Sequence, residues 1–425
     1  MQFIKKSFIV LFLLLATLAS GQDYCMKAPI GYGRNTTGGA GGNVVTVKTR
    51  AELSNALSKS GVAVIIVTEN IIFGEGDMIK LAVQNKTLLG MSGVRLISTA
   101  QVKNGGILQL SNGSNNVIIR NLIFEGPGAY DVDGNDLLQN VGCNNLWVDH
   151  CEFYDGVDGN FDNTNSTDNI TISWCKFGYN QPPKAGGSGG SNDHRFTNLI
   201  GGDANAAPAD GHYSITFMYC YWADGCKERM PRARNAELHI LNCYYNTNVT
   251  GSTALGLEGG VKGLDCYVEG CHFKKISSIY KSYGTGTKTL TYVNCIGGTM
   301  TDIGVAPQPS YPYDAIPVDE VEAAVTGTSG AGATLIVNPE DGSVSSVTSI
   351  YTPQQATGRW TQTADAIRIE GIQVKEICLY NSSGTKIRCV SSSPVMNLNS
   401  LDKGFYIVSA QSTDGKVFNK KIIKY

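Results

Sequence analysis

The stretch 228-ERMPRAR-234 sets three arginines around one proline. A guanidinium is a planar fork of donors that matches a carboxylate bidentately. Pro231 withholds a ladder hydrogen bond and fixes the local chain, so the flanking arginines are presented rather than averaged into a strand. The rest of the chain is poor in charge. Over 425 residues there are 34 Lys+Arg against 36 Asp+Glu, and charged residues make up 16%, against about 25% in an average soluble domain. A balance of −2 offers no overall attraction for nucleic acid or a membrane surface, so attraction for a charged ligand must be local. The cluster suits a polyanion bearing carboxylates; the plainer alternative is a solvated basic turn.

A second set is acidic: Asp133, Asp136, Asp149, Asp155, Asp158 and Asp162, with the last two in 158-DGNFD-162. Carboxylates gathered in turns suit a hard cation such as Ca²⁺, which takes six to eight oxygens in flexible geometry. The spacing is not that of an EF-hand loop, and acidic turns also serve solvation and capping. Between the two sets lies a stretch rich in Gly, Ser, Asn and Asp at about 180–212. A long irregular loop on a rigid scaffold is often functional.

The elements that must position these residues repeat. The segments 118-IIRNLIF-124, 147-WVDHCEF-153, 171-TISWCKF-177, 216-TFMYCYW-222, 239-HILNCYY-245, 267-YVEGCHF-273 and 291-TYVNCIG-297 resemble one another. Marked at Asn121, Cys151, Cys175, Cys220, Cys243, Cys271 and Cys295, they recur about every 24 residues, with one step of 45 that carries the glycine-rich stretch. One short apolar strand per repeat cannot bury a face alone, so the repeats must stack. The expectation is an all-β chain: a right-handed parallel β-helix over 22–332, with equivalent residues one above another at about 4.8 Å. A ladder of thiols fits such an interior. It does not build a metal site, because one ligand per rung forms a line. Neighbouring ladder thiols point in parallel and are poor disulfide partners; Cys220/Cys226 and Cys378/Cys389 are better candidates.

At the amino end, Lys5 and Lys6 precede an apolar run from Phe8 to Leu18 and small residues to Gly21. This pattern predicts a secretory signal over 1–21, since the run is shorter than the ~20 residues a membrane span needs. After a Pro-rich stretch at 306–317 and a short helical turn at 319–327, alternating strands with Ser-Gly and Asp-Gly turns predict a small antiparallel β-sandwich over 333–425. Its GFYIV strand, DGK turn and basic last strand resemble the C-terminal sorting domains of type IX secretion. A generic carbohydrate-binding or adhesive sandwich is the alternative.

In order, 146-LWVDHCEF-153, 158-DGNFD-162, 169-NITISWCKF-177, 199-LIGGD-203, 214-SITFMYCYW-222, 229-RMPRAR-234 and 238-LHILNCYY-245 strongly resemble the pectate lyases of polysaccharide lyase family 1. The resemblance spans about residues 40–332 and implies the same β-helix. It implies calcium ligands at Asp136, Asp158 and Asp162, with Asp133 as a further contributor, a catalytic base at Arg229, and a substrate-binding arginine at Arg234. Asp149 and His150 belong to its signature but read as structural. One position departs: Phe196 stands where the family has a lysine, and Arg195 is the expected substitute for substrate binding, with Lys184 another. The implied protein is a secreted, monomeric pectate lyase without a membrane span. It would cleave de-esterified polygalacturonate by calcium-dependent β-elimination into 4,5-unsaturated oligogalacturonides. An arginine is a poor base, its ordinary pKa lying above 12, so an alkaline optimum is expected. A polygalacturonase would need a Gly-His-Gly segment, and Gly211-His212 is followed by Tyr213. The alternatives left open are a pectin lyase and a non-enzymatic pectin-binding β-helix.

Overall fold

The runs between corner residues are five to seven residues long and rich in Ile, Val, Leu and Phe, which suits short strands buried on one face. In the computed structural model they form parallel strands of a three-sided solenoid. The structure describes residues 24–346 and 359–424, the latter without 364, 371–372, 382–384 and 414–416. The expected signal segment 1–21, and the Ser-Gly and Asp-Gly turns near 383 and 414, lie outside the described residues. Each turn of the solenoid lays one strand on a ten-stranded sheet, one on an eight-stranded second sheet and one on an eight-stranded third sheet. One rung runs Asn144–Asp149, Glu152–Tyr154 and Phe161–Asn163.

From the rung of Asn115–Arg120 onward, the backbone leaves the first strand through one left-handed residue. These are Asn121, His150, Trp174, Tyr219, Asn242, Gly270 and Asn294, all with φ between 48° and 60°. Asn tolerates this region because its side chain can bond locally; Asn121 and Asn242 donate to Gly90 O and Gly270 O. The next residue is the thiol position. Register pairs Arg120 with Asp149, so Leu122, not Asn121, is the equivalent of Cys151. The marked asparagine is the corner residue, one place early.

Inside, the backbone N–H groups of Cys220, Cys243 and Cys271 each point to the sulfur of the next rung, at 3.3–3.4 Å. Two residues further on, Phe124, Phe153, Phe177, Trp222, Tyr245 and Phe273 form one column, with centroids 4.6–5.6 Å apart and planes within 19°. Aromatic pairs of this kind add about 0.5–1.5 kcal/mol each beyond burial. Cys220 and Cys226 do not pair. Their thiols donate to Ile172 O and Phe177 O instead, because both side chains are engaged by carbonyls of the solenoid interior. The disulfide that does form is Cys378–Cys389, across directly paired antiparallel strands.

The helix Arg50–Ser58 buries Leu53, Ala56 and Leu57 in the same core as the first rung. The 45-residue step keeps its rung: Leu199–Ile200 still pairs with the third sheet on both sides, and the insertion is divided into loops before and after that strand. The chain forms two compact units, 1–348 and 349–425. Residues 335–346, expected in the second domain, pack with the first: Asn121 exchanges both hydrogen bonds with Leu335, and Val337 packs on Ile66 and Leu89. The second unit has a three-stranded and a four-stranded antiparallel sheet around Ile367, Ile369, Ile377, Leu379, Val408 and Ile422. Among the described residues no helix is long and apolar enough to cross a membrane.

The aromatic column makes a testable demand. Phe177 is fully buried between two stacked rings, so Phe177→Ala should lower the free energy of denaturant unfolding by about 3–5 kcal/mol. A loss below about 1 kcal/mol would mean the column is not a continuous packing unit.

Candidate functional site

On the third sheet, side chains alternate between core and outer face. Phe161 and Asn163 point inward, which turns Asp162 outward. Gln139 pairs with Asp162 and Leu199 with Arg232, and the Leu199 N–H donates to Asp162 Oδ1 at 2.8 Å. Acidic and basic sets therefore share one face, two rungs apart.

Asp136 precedes the strand Leu138–Asn140 and is 2% exposed; Asp162 is 7% exposed. Gln139 Nε2 donates to Asp136 Oδ2 at 3.1 Å. Asp136 Oδ1 is buried and has no hydrogen-bond partner among the described residues. A Cβ at Gly159 would lie 2.6 Å from that oxygen and 3.4 Å from Asp162 Oδ1, so the glycine keeps a cradle open between the two carboxylates. Burial, joined by the charges of Asp162 and Asp158, holds the Asp136 carboxyl well above its ordinary range. Burial raises Asp158 as well and pushes Asp162 up to about 7, with the Arg229 guanidinium pulling the other way. Three desolvated carboxylates, one with an orphaned oxygen, fit a hard cation with oxygen ligands.

Asp133 is exposed on its turn at φ 48° and makes no side-chain hydrogen bond or ion pair among the described residues. The carboxylate that approaches the group is Asp131, which is 4% exposed and adds to the raising of Asp158. Sequence reasoning missed it, although 131-DVDGND-136 offers it as readily as Asp133. Asp149 is structural: it accepts from Arg120 and Ser173 and meets His150 Nδ1 at 2.8 Å. Asp155 anchors the start of the insertion by accepting from the N–H groups of Asn180 and Gln181.

Arg229 sits at φ 62°, and its carbonyl accepts from the Asn198 N–H at 2.7 Å. Its guanidinium lies 4.6 Å from the Phe196 ring centre, and its buried Nε has no partner among the described residues. Its charge pulls down the carboxyls of Asp158 and Asp162, and Asp136 to a lesser degree. Arg234 donates from Nε to Glu258 at 2.6 Å and from Nη1 to Gly201 O at 2.7 Å; its Nη2 has no protein partner among the described residues. Arg232 stacks 4.2 Å over Tyr283, and burial, then Arg234 and Arg229, lower its pKa from the ordinary value.

Arg195 is not delivered to this group. Its Nε and Nη2 donate to the two oxygens of Asp193, at 2.7 and 2.6 Å. Lys184 lies 4.0 Å over Tyr130. What comes forward instead is Phe196, under Arg229, with His194 packed 4.1 Å from the Phe196 ring. His194 contacts Asp158 and Asp131, and nothing in the sequence beyond its place in the insertion signalled it.

The pectate lyase family profile matches residues 9–274. The pectate trisaccharide-lyase of Thermotoga maritima is 30% identical over 284 residues, covering 62% of this chain and 68% of that protein. A pectate lyase of Emericella nidulans is 29% identical over 320 residues, covering 72% and 89%. A solved pectate lyase variant from Xanthomonas campestris superposes with a TM-score of 0.57 at 22% identity, covering 72% of this chain and 99% of that one.

The raised carboxylates fix the sign of a pH effect. Each binds its proton more tightly folded than unfolded, so metal-free stability falls as pH rises from about 4 through about 7. In chelator, the thermal midpoint should therefore be higher at pH 5 than at pH 7.5, and Asp162→Asn should flatten that slope. An unchanged slope in the variant would count against Asp162 as its source.

Proposed function

The chain belongs to the pectate lyase family and is a polysaccharide lyase, and from that premise we propose that it is secreted and cleaves de-esterified polygalacturonate by calcium-dependent β-elimination. The products are 4,5-unsaturated oligogalacturonides. The observation that carries the reading is the gathering of Arg229 with three carboxylates on one outer face of the solenoid, Asp136 and Asp162 buried and Asp158 partly exposed, each raised above its ordinary range by burial.

Asp136, Asp158 and Asp162 would hold the calcium, with Asp136 Oδ1 as its unpaired donor. When bound, calcium supplies positive charge against the uronate carboxylate, where negative charge develops. Arg234 holds a second carboxylate through its remaining Nη2 donors, and Glu258 and Gly201 O fix the orientation of that fork. Arg229 is the group placed to accept the C5 proton, which lies α to the carboxylate. The C5–H electron pair becomes the C4–C5 double bond, the C4–O4 bond breaks, and the leaving oxygen takes a proton from solvent. Phe196 supports the Arg229 guanidinium on one face. The C-terminal unit is assigned a sorting or attachment role on the resemblance of its strands alone.

The test is absorbance of the unsaturated uronate with polygalacturonate as substrate. Product should form with calcium and stop in chelator, and Arg229→Ala should lower kcat by about 10²–10⁴-fold. The rate should rise into the alkaline range. A profile flat from pH 5 to 10 would remove Arg229 as base. Cleavage of highly methylated pectin that survives chelation would favour the pectin lyase alternative, and no product at all would favour a binding β-helix.

A further inference from the structure

The outward line of the third sheet continues past the acidic group towards the amino end of the solenoid. Asp162 pairs with Gln139, Gln139 with Gln109, and Gln109 with Lys80. Each is the middle residue of its three-residue strand, between inward-facing neighbours. Lys80 therefore stands three strand spacings from Asp162, about 14 Å. Gln109 Nε2 donates to Ser111 Oγ and Gln139 Nε2 to Asp136 Oδ2, both at 3.1 Å. Their side-chain carbonyls have no protein donor among the described residues, so two acceptors lie along the line.

At Lys80 the line meets a cavity of about 440 Å³ between the helix Arg50–Ser58 and the turns of the first rungs. That size is usual for a small-ligand site, about 300–1,000 Å³. Arg50, Ser54, Lys80, Asn104 and Asn135 supply its polar lining, and no carboxylate among the described residues lines it. Arg50 is anchored from outside: its Nε donates to the Asp77 carbonyl at 2.6 Å and stands 3.5 Å from the Asp77 carboxylate. Neither Nη of Arg50 has a protein partner among the described residues. Lys80 Nζ donates to Asn135 Oδ1 at 3.2 Å, and an ammonium has two further N–H donors. Asn135 is itself fixed, because its Nδ2 donates to Gly105 O at 2.8 Å. The next residue is Asp136, so the cavity wall runs directly into the acidic group.

We propose that this cavity is a remote subsite for the same polymer. Arg50 and Lys80 take the carboxylate of a further uronate, and Asn104, Asn135 and Ser54 take its hydroxyls. The proposal rests on the lyase reading of this face. A uronate presents one negative edge and several neutral hydroxyls, which two cations set among amides and a hydroxyl match. Methyl esterification would remove the charge that Arg50 and Lys80 meet. Between the subsite and the acidic group, Gln109 and Gln139 accept from hydroxyls of the intervening sugars. The enzyme thus reads charge three rungs away from the bond it breaks, and favours long de-esterified stretches.

The test is calorimetric titration of the full chain carrying Arg229→Ala, which holds turnover down, with oligogalacturonates of increasing length in saturating calcium. Affinity should rise with length until the chain reaches the cavity. Arg50→Gln and Lys80→Gln should each remove that last gain, about tenfold, and leave digalacturonate binding unchanged. Lys59→Gln, at an exposed lysine that ends the same helix outside the cavity, should bind every length as the parent does. Should Arg50→Gln disturb the helix, Lys80→Gln, at an exposed side chain, carries the comparison. Unchanged affinity for long chains in Lys80→Gln, an equal loss at every length, or the same loss in Lys59→Gln overturns the subsite. The cavity is then a solvated notch, and the lyase reading stands. Absence of binding at every length in the parent overturns both readings together.

Discussion

Everything on the outer face depends on like stacking over like inside. A solenoid rung has no partner but its neighbours, so a residue that breaks the column breaks the height of every residue outside it. The interior meets this with two continuous features. Sulfur atoms accept the N–H of the rung before, and aromatic rings stack two positions on. The left-handed corner residue before each column thiol makes both features repeat, because it turns the chain at the same point in successive rungs. Rung spacing is then fixed near 4.8 Å, and outward residues from distant parts of the sequence arrive at set heights.

That spacing explains how groups of opposite sign can coexist. Asp162 and Arg232 lie on one line with Leu199 between them, too far apart to neutralise each other by direct contact. Arg232 stays stacked on Tyr283 and Arg234 stays with Glu258. The aspartates accordingly keep their charge problem: burial raises the carboxyls of Asp136 and Asp162 above their ordinary range. Desolvation that would be wasteful in a structural turn is suited to a cation cradle, since the bound ion relieves it.

The β-solenoid, its repeat length and its thiol column were legible in the sequence because period-specific burial leaves a pattern in residue type. Spacing and resemblance also singled out Asp136, Asp158, Asp162 and Arg229, whose proposed roles stay proposals; what the fold adds is that it gathers them on one face. What was not legible depends on side-chain direction. Asp131 and Asp133 have the same chemistry two residues apart, and only the wrap of Ser191 and Gly189 around Asp131 distinguishes them. Arg195 was a reasonable cation by position, but a carboxylate two residues before it, Asp193, takes its Nε–Nη2 edge. The Asn121 marking failed by one place because asparagine recurs at the corner and cysteine at the next position, and a single sequence does not say which of the two defines the column.

The exchange of a cation for Phe196 changes the environment of Arg229 more than its location. A lysine beside Arg229 would add like charge; the phenyl ring instead offers a π face to the guanidinium at 4.6 Å. A cation over an aromatic face is held by about 0.5–2 kcal/mol, which orients the fork without occupying any N–H. The same ring packs on His194, so the residue that positions Arg229 also positions the imidazole between Asp131 and Asp158. Orientation of the basic and acidic halves of the face thus runs through one apolar side chain, delivered by the insertion and backed by its bridge to Glu228. A long loop that would otherwise sample many shapes is in this way tied to the solenoid at its start by Asp155, in its middle by Asp131 and at its end by the strand Leu199–Ile200.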